Sequence, residues 1–281
     1  MNIYAFSDEA SSDLGGQIRA MVRNGLKGTE IRGVDGRSVT ALTVREAGDV
    51  LRRLKDSGLS VWSVGSPLGK IPLDGGGFDA HLDLLRHTLE LARALECPRI
   101  RMFSFYLPEG ARPEDCRGEV LDRLARMAEL ADEAGVALCH ENEKGIYGDN
   151  AARCADLLDA VPSLRCVFDP ANFIQCGQDV PEAWALLGSR VYYMHIKDAL
   201  ADGTVVPAGR GIGHLPELLA DYRARGGDAV TVEPHLRVFD GLQSLERDKR
   251  SALPENAWPT ADAAFDAACG ALEELLEAQK A

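Results

Sequence analysis

The sequence predicts one α/β domain, a parallel (β/α)8 barrel that uses all 281 residues. One observation behind this prediction is that short apolar runs of strand character alternate with longer segments of helical periodicity. Another is that each of the last four strand-like runs ends in a side chain that can bind a metal. The carboxyl ends of parallel barrel strands meet at one face, where active sites lie. Such a barrel commonly takes about 250 residues, so the length calls for no second domain.

The predicted elements alternate in order along the chain. Strands are expected at residues 3–6, 29–32, 60–64, 99–105, 136–143, 164–169, 191–198 and 229–235. Helices are expected at residues 17–23, 44–57, 80–96, 114–134, 150–160, 182–187, 215–225 and 260–279. The helix at 44–57 illustrates the argument, because its apolar residues keep helical spacing and Gly58 follows its last turn.

Two irregular segments stand out between these elements. Residues 65–77 are rich in glycine and proline and follow the third strand, so we predict a loop long enough to act as a lid. Residues 236–259 carry many charges and two prolines. This segment is either an extended surface loop or an ordered subunit contact.

Composition limits the classes of partner. The chain has 31 Lys and Arg against 44 Asp and Glu, a formal net charge of −13, which disfavours nucleic acid and anionic membranes. No apolar run approaches the roughly 20 residues of a membrane span, and the N-terminal residues do not resemble a secretory signal. The seven cysteines show no repeated spacing and are expected to be reduced thiols of a cytoplasmic protein, with Cys139 and Cys166 buried in strands.

Four side chains occupy the ends of the last four strand-like runs. They are Glu141, Asp169, His195 and Glu233. The last interior residue of each barrel strand opens at the top face, so these side chains are expected to converge. Three carboxylates and one imidazole suit one divalent ion, with Mn²⁺ first, Mg²⁺ or Co²⁺ next and Zn²⁺ as a further option. The alternative is four separate acidic or basic groups on surface loops.

Neighbouring residues are candidates for weaker roles. Glu143 shares a strand face with Glu141 and is an alternative ligand. Lys197 either binds a substrate oxygen or pairs with a strand-end acid such as Asp198. Arg210, in a glycine-rich stretch at 207–213, either holds a substrate oxygen or lies in a solvent-facing turn. His235 is predicted at the rim of the pocket.

Other polar and aromatic residues are predicted at the surface, in a wall of the pocket or in the core. His81, His87 and His214 fall on or beside helices and are predicted at the surface. Trp62, Arg101 and Phe103 lie on the third and fourth strand runs. They form either an apolar wall for a sugar ring or, for the two aromatic residues in particular, ordinary core.

Four short motifs resemble those of the xylose-isomerase-like TIM barrel superfamily of sugar isomerases and epimerases. They are His140-Glu-Asn-Glu, Phe168-Asp-Pro-Ala-Asn, Met194-His-Ile-Lys-Asp and Val232-Glu-Pro-His. In its ketose 3-epimerase branch, ligands of types Glu, Asp, His and Glu bind one divalent metal. The resemblance implies that Glu141, Asp169, His195 and Glu233 are the ligands here. It also implies that Glu141 and Glu233 move protons on opposite faces of the substrate.

One position departs from that branch. Three residues after the aspartate, the epimerases have a histidine that contacts substrate, whereas this chain has Asn172. An amide still forms hydrogen bonds to a hydroxyl group but takes no proton near neutral pH. The departure leaves the predicted barrel and metal site intact and leaves the reaction itself open.

The resemblance implies a metal-dependent isomerase or epimerase of a small sugar, a keto-sugar or a sugar phosphate. The metal is expected to stabilise an enediolate after a proton is removed next to a carbonyl. A lyase or dehydratase acting on inososes, dehydroshikimate or 3-keto-glycosides is the alternative. A DNA-repair hydrolase conflicts with the acidic composition, and a non-catalytic barrel would leave the ligands without use. The expected partner is a small carbohydrate, and the sequence leaves a homo-oligomer open.

Overall fold

The fold is a closed barrel of eight parallel strands, as predicted, in a computed structural model that describes residues 1–238 and 258–279. The barrel strands are β1 Asn2–Ala5, β2 Gly28–Ile31, β3 Ser60–Gly65, β4 Arg99–Met102, β5 Ala137–Glu141, β6 Arg165–Phe168, β7 Val191–Ile196 and β8 Ala229–Val232. Each strand pairs in parallel with its neighbours in sequence. Pairing of β1 with β8, from Asn2 opposite Ala229 to Ala5 opposite Val232, closes the barrel.

Helices follow the strands around the outside. Within the described residues they are α1 Leu14–Arg23, α2 Val44–Asp56, α3 Phe78–Ala94, α4 Pro113–Glu133, α5 Ala151–Ala160, α6 Pro170–Gln175, α7 Val180–Leu187, α8 Leu215–Ala224 and α9 Ala261–Ala278. On α2, the side chains of Ala47, Val50, Leu51 and Leu54 are buried, as their spacing predicts, whereas Val44, which has the same spacing, is exposed in the first turn. None of the helices in this part of the chain is both long and apolar enough to cross a lipid bilayer.

The lower interior of the barrel is apolar and aromatic. Cys139, Val167 and Tyr193 project from three adjacent strands and pack together in the barrel interior, with Trp62 against them. Cys139 and Cys166 are both buried, as predicted. This plug of side chains forms a floor beneath the polar residues at the carboxyl ends of the strands.

The loop after β3 is hydrogen-bonded to the segment that follows β4, so its first half is not a free lid. Phe103 N–H donates to Leu68 O at 2.8 Å, and Phe105 N–H donates to Gly69 O at 2.9 Å. Gly69 has φ +83°, and a Cβ there would lie 2.0 Å from Phe103 O, so this close approach requires glycine. These bonds also explain why β4 ends at Met102 and not at residue 105.

Most of the predicted segment 236–259 lies outside the described residues, since 239–257 are not described. Within the described part of this segment, Leu236 is buried.

Candidate active site

The structure brings Glu141, Asp169, His195 and Glu233 together at the carboxyl ends of β5 to β8. All four side chains are buried, and one ligand atom from each lies within 4.8 Å of the others. Glu141 ends β5, His195 lies within β7, and Asp169 and Glu233 directly follow β6 and β8. Each acid therefore lies where its strand ends, at the face of the barrel where active sites are found.

The donor atoms are close enough to share one ion. Nδ1 of His195 lies 3.1 Å from Oε1 of Glu141 and 3.6 Å from Oε2 of Glu233. Oxygen ligands on opposite sides of Mg²⁺ are about 4.2 Å apart, because each metal–oxygen distance is about 2.1 Å. The four ligand atoms lie within 4.8 Å of one another, so a small inward movement of the side chains would allow all four to bind one divalent ion.

Asp169 supplies an independent sign of a cation site. Its Oδ2 is buried without a hydrogen bond and is ion-paired with Lys197 Nζ at 3.0 Å. Burial raises the pKa of Asp169 to about 7; Lys197 opposes this, and the nearby carboxylates of Glu233 and Glu141 raise the pKa further. A bound cation would stabilise a buried carboxylate in this position, so the residues fit a divalent metal.

Two other members of the site, His195 and Glu233, respond to the surrounding charges. Burial lowers the pKa of the His195 imidazole, but Glu141 and Glu30 overcome this and raise it well above its ordinary value. Burial raises the pKa of Glu233, but Lys197, His235 and His195 bring it well below the ordinary value. The cluster is thus a dense alternation of acids and bases.

Lys197 is buried between two of the proposed ligands. Its Nζ lies 2.9 Å from Oε2 of Glu233 as well as 3.0 Å from Oδ2 of Asp169. The strand-end acids that pair with it are therefore these two and not Asp198. An ammonium group next to the metal site has three hydrogen-bond donors, which suits a substrate oxygen once the acids bind the ion.

Asn172 contacts a proposed ligand directly. Its Nδ2 donates to Glu141 Oε1 at 3.2 Å and to the backbone oxygen of Asn142 at 2.8 Å. An amide nitrogen carries two hydrogens, and these two contacts use both. The geometry therefore adds an orienting role for Asn172 to the substrate contact expected from the sequence.

Asn142 joins the ends of β5 and β6. Its side-chain amide accepts from Asp169 N and donates to Asp169 O, both at 2.9 Å. This pair of bonds imitates strand pairing one residue beyond the ladder, and it fixes Asp169 relative to Glu141. Sequence reasoning missed this residue, although its place inside the His-Glu-Asn-Glu motif was a signal.

Glu143, the alternative ligand, is not among the four residues whose ligand atoms converge. Its Oε2 forms an ion pair with Lys70 Nζ at 3.0 Å. Lys70 comes from the loop after β3, and its Nζ lies 4.3 Å from the centre of the Phe103 ring. Glu141 therefore remains the proposed ligand, and Lys70 with Glu143 borders the site on the β3 to β5 side.

His235 lies beside the site and is 12% exposed at its side chain. Its Nδ1 is 3.3 Å from Oε1 of Glu233 and 3.4 Å from Oε1 of Glu9. Arg32 also pairs with Glu9, at 3.0 Å, and approaches Glu233 at 3.6 Å. Burial raises the pKa of Glu9 to about 8, against the effect of Arg32. His235 is thus close to a proposed proton-transfer group, consistent with its predicted place at the rim.

Arg210 does not lie with the other candidates. Its side chain is 68% exposed, and its guanidinium pairs with Glu274 of α9 at 3.2 Å. The glycines around it serve a different purpose, since the N–H groups of Gly209, Gly211 and Gly213 all donate to the carboxylate of Asp198. A Cβ at Gly211 would lie 2.4 Å from Asp198 Oδ1. The glycines thus surround an internal carboxylate. Arg210, expected either at a substrate oxygen or in a solvent-facing turn, pairs with Glu274 at the surface.

Some of the residues that were predicted at the surface or in an apolar wall lie elsewhere. His81 is buried and accepts a hydrogen bond from Gly69 N at 2.7 Å, so its predicted surface position is wrong. His87 is partly buried and lies 2.9 Å from Leu42 O, whereas His214 is exposed as predicted. Arg101 is buried with Nε 3.2 Å from Oε2 of Glu141, so it belongs to the site and not to an apolar wall.

The sequence profile of the xylose isomerase-like TIM barrel family matches residues 18–254. The chain belongs to this family. No curated protein sequence matches the chain significantly.

Solved structures share the whole fold at low sequence identity. L-ribulose 3-epimerase is 21% identical with a TM-score of 0.76, covering 100% of this chain and 96% of that chain. The probable 3-DHS dehydratase AsbF from Bacillus anthracis is 16% identical with a TM-score of 0.75, covering 97% of this chain and 99% of that chain. The IolI protein, with a bound zinc atom, is 15% identical with a TM-score of 0.77, covering 99% of both chains. These likenesses establish the shared barrel.

Proposed function

We propose that this protein is a divalent-metal-dependent isomerase or epimerase of a small sugar, a keto-sugar or a sugar phosphate. The observation that carries the proposal is the convergence of Glu141, Asp169, His195 and Glu233 within 4.8 Å at the catalytic face of the barrel. A structural salt-bridge cluster would not require three carboxylates and an imidazole to direct one atom each at the same point. Membership of a family with sugar epimerases among its structural neighbours supports this assignment.

The four residues would hold one ion, with Mn²⁺ as the first candidate and Mg²⁺, Co²⁺ and Zn²⁺ as alternatives. When bound, a divalent ion supplies Lewis-acid polarisation of neighbouring carbonyl and hydroxyl oxygens. This makes the C–H group of the hydroxyl-bearing carbon, next to the carbonyl, more acidic. The protein groups then hold the substrate, exclude water and move the proton.

Glu141 and Glu233 are the proposed proton-transfer groups. They reach the site from β5 and from the end of β8, strands that are separated by β6 and β7 in the barrel. One carboxylate removes the proton from the carbon next to the carbonyl, and the other returns a proton. Return to the neighbouring carbon gives isomerisation, and return to the opposite face of the same carbon gives epimerisation.

Two polar residues are proposed to position the substrate. Lys197 Nζ lies 2.9 Å from Glu233 Oε2, so a substrate oxygen that it binds is held close to the proposed base. His235 Nδ1 lies 3.3 Å from the other oxygen of Glu233. Asn172 orients Glu141 through Nδ2. Together these contacts fix both carboxylates relative to the substrate carbon.

Hydrogen exchange with solvent is the test of proton abstraction. The Mn²⁺-loaded protein is incubated in D₂O with a panel of ketoses, keto-sugars and their phosphates, and the recovered sugars are analysed by mass spectrometry and NMR. We expect deuterium on the carbon next to the carbonyl of the true substrate, in a reaction that a chelator stops. Glu233→Gln keeps an oxygen ligand but removes the base, so exchange should fall much more than metal content.

The control for this experiment is Glu274→Gln, an exposed glutamate on α9, which should exchange like the wild type. Turnover of a ketose without deuterium in product or recovered substrate would contradict a solvent-exchanging two-base reaction. A product lighter by one water, or release of an aglycone, would instead identify the lyase alternative of this family, in which the same base removes a proton and a leaving group departs.

A further inference from the structure

Beneath the proposed metal site lies a carboxylate that the proposed reaction does not use. Glu30 projects from β2 into the barrel and is fully buried, with 0% exposure. Its Oε2 lies 3.1 Å from Nε2 of His195 and accepts from Thr231 Oγ1 at 2.9 Å. Its Oε1 accepts from Tyr193 OH at 3.0 Å. Residues from β7 and β8 thus converge on one acid of β2.

We propose that Glu30 is a positioning residue that holds the Nε2–H tautomer of His195 and so directs Nδ1, with its lone pair, at the proposed metal ion. The inference rests on the proposed function, because it presumes that the cluster binds a metal. An ionised carboxylate accepts hydrogen bonds only, so Nε2, which faces Glu30, carries a proton. Glu141, which faces Nδ1, is itself a proposed ligand and would share the ion with that nitrogen. The opposite nitrogen, Nδ1, is the one that lies 3.1 Å from Glu141 and 3.6 Å from Glu233.

The remaining contacts fix Glu30 itself. Tyr193 and Thr231 each donate a hydroxyl hydrogen to a different oxygen of the carboxylate, which stops it from rotating. Arg101 Nε lies 3.7 Å from Glu30 Oε1 and 3.2 Å from Glu141 Oε2, so one guanidinium links the positioning acid to a proposed ligand. A metal-binding histidine that donates its second N–H to a carboxylate is held in one ring orientation and tautomer.

Glu30→Gln should reverse this arrangement. The new amide has one oxygen and one NH₂ group, and the positive charge of Arg101 near Oε1 favours the oxygen on that side. The NH₂ group then faces His195, whose Nε2 must accept, so the ring proton moves to Nδ1 and stops this nitrogen from binding the metal. We expect the dissociation constant for Zn²⁺, measured by competition with a chromophoric chelator, to rise about 10- to 100-fold.

Two tyrosines provide a matched pair of variants. Tyr193→Phe removes a hydroxyl that donates to Glu30, and Tyr222→Phe removes one that donates to Tyr192 O and Ala229 O at 3.0 Å each. Both hydroxyls are buried, so both variants should lower the melting temperature. Only Tyr193→Phe should also weaken Zn²⁺ binding, by a few-fold.

The tautomer itself can be observed in the wild type, which keeps the inference testable if Glu30→Gln does not fold. In Zn²⁺-loaded protein with ¹⁵N-labelled histidine, we expect the two-bond couplings of His195 to show a protonated Nε2 and a metal-bound Nδ1. His195→Gln identifies the signals. A proton on Nδ1, or equal Zn²⁺ affinity of folded Glu30→Gln and wild type, would overturn the inference and leave the proposed metal site standing. A wild type that binds no Zn²⁺, Mn²⁺, Mg²⁺ or Co²⁺ would instead overturn the proposed function.

Discussion

Asp169 performs two tasks with its two oxygens. Oδ1 accepts from Asn172 N at 2.9 Å and so caps α6, while Oδ2 faces Lys197 and the other proposed ligands. Because burial raises its pKa from 3.8 to about 7, the folded protein binds this proton more tightly than the unfolded chain does. The contribution of Asp169 to stability is therefore unfavourable in the metal-free protein and becomes more so as the pH rises from about 4 to about 7.

Asp169→Asn should separate these tasks. The amide oxygen still caps α6, and the buried charge is removed, so the metal-free variant should be no less stable than the wild type at pH 8. Metal binding should be lost, because a carboxylate ligand has been replaced by a neutral group. Metal content by mass spectrometry and urea unfolding at pH 8 and pH 5 check both statements. One equivalent of bound metal in the variant would refute the ligand assignment.

The ligand cluster could be predicted from the sequence because each member follows an apolar strand run, a local pattern. The residues that support the cluster, such as Glu30, could not be predicted from the sequence. Glu30 lies 165 positions before His195, and no local rule connects a charged residue inside one strand with a histidine inside another. The alternation of side chains in β2 places Glu30 on the interior face, but only the closed barrel shows which strands face it.

Among the elements, α6 shows where the local interpretation was incomplete. The sequence analysis predicted a strand at 164–169 and no helix before residue 182, whereas Pro170 is the first residue of a helix that Asp169 caps. Proline is favoured at that position because its missing N–H would have no intrahelical partner. The same short helix delivers Asn172 to Glu141, so the turn after β6 is part of the site.

The loop after β3 is held by His81 of α3, and this contact should respond to acid. Burial, assisted by Arg123, lowers the pKa of His81 to about 4, and its neutral Nε2 accepts from Gly69 N. A histidine with a lowered pKa contributes its full stability above about pH 6.5 and loses it as the pH falls towards 4. The loop anchor should therefore weaken across this window.

Urea unfolding of wild type and His81→Gln between pH 8 and pH 5 tests this anchor. Glutamine does not titrate, so the advantage of the wild type should shrink by roughly 2 kcal/mol by pH 5. His214→Asn, at an exposed position, is the control and should show no such narrowing. A stability difference between wild type and His81→Gln that stays constant over the range would mean that His81 does not titrate on unfolding.

At the scale of the whole molecule, the sequence predicted the barrel and the order of its strands well because the alternation of strand and helix patterns is repeated along the chain. Details set by packing between distant segments were less predictable. The end of β4 is determined by bonds to the loop after β3, and the glycines near Arg210 by the carboxylate of Asp198. In each case the partner lies outside the window in which a local pattern is read.

The proposed metal site and the net charge of −13 should make separable contributions to the stability of the folded protein. Any added salt screens the repulsion between surface acids, but a ligand that binds only the folded state stabilises it by mass action, by about 2.7 kcal/mol at a concentration 100 times its dissociation constant. For a chain of 281 residues we expect Mn²⁺ at that excess to raise the melting temperature by about 5 °C. NaCl at matched ionic strength should raise it far less, and a chelator should reverse the Mn²⁺ effect.

His195→Ala removes one proposed ligand and leaves the surface charge unchanged, so it should respond to Mn²⁺ only as it responds to NaCl. If instead this variant and the wild type are stabilised equally by Mn²⁺, the ion acts by screening the acidic surface and the cluster at the ends of β5 to β8 is not its site.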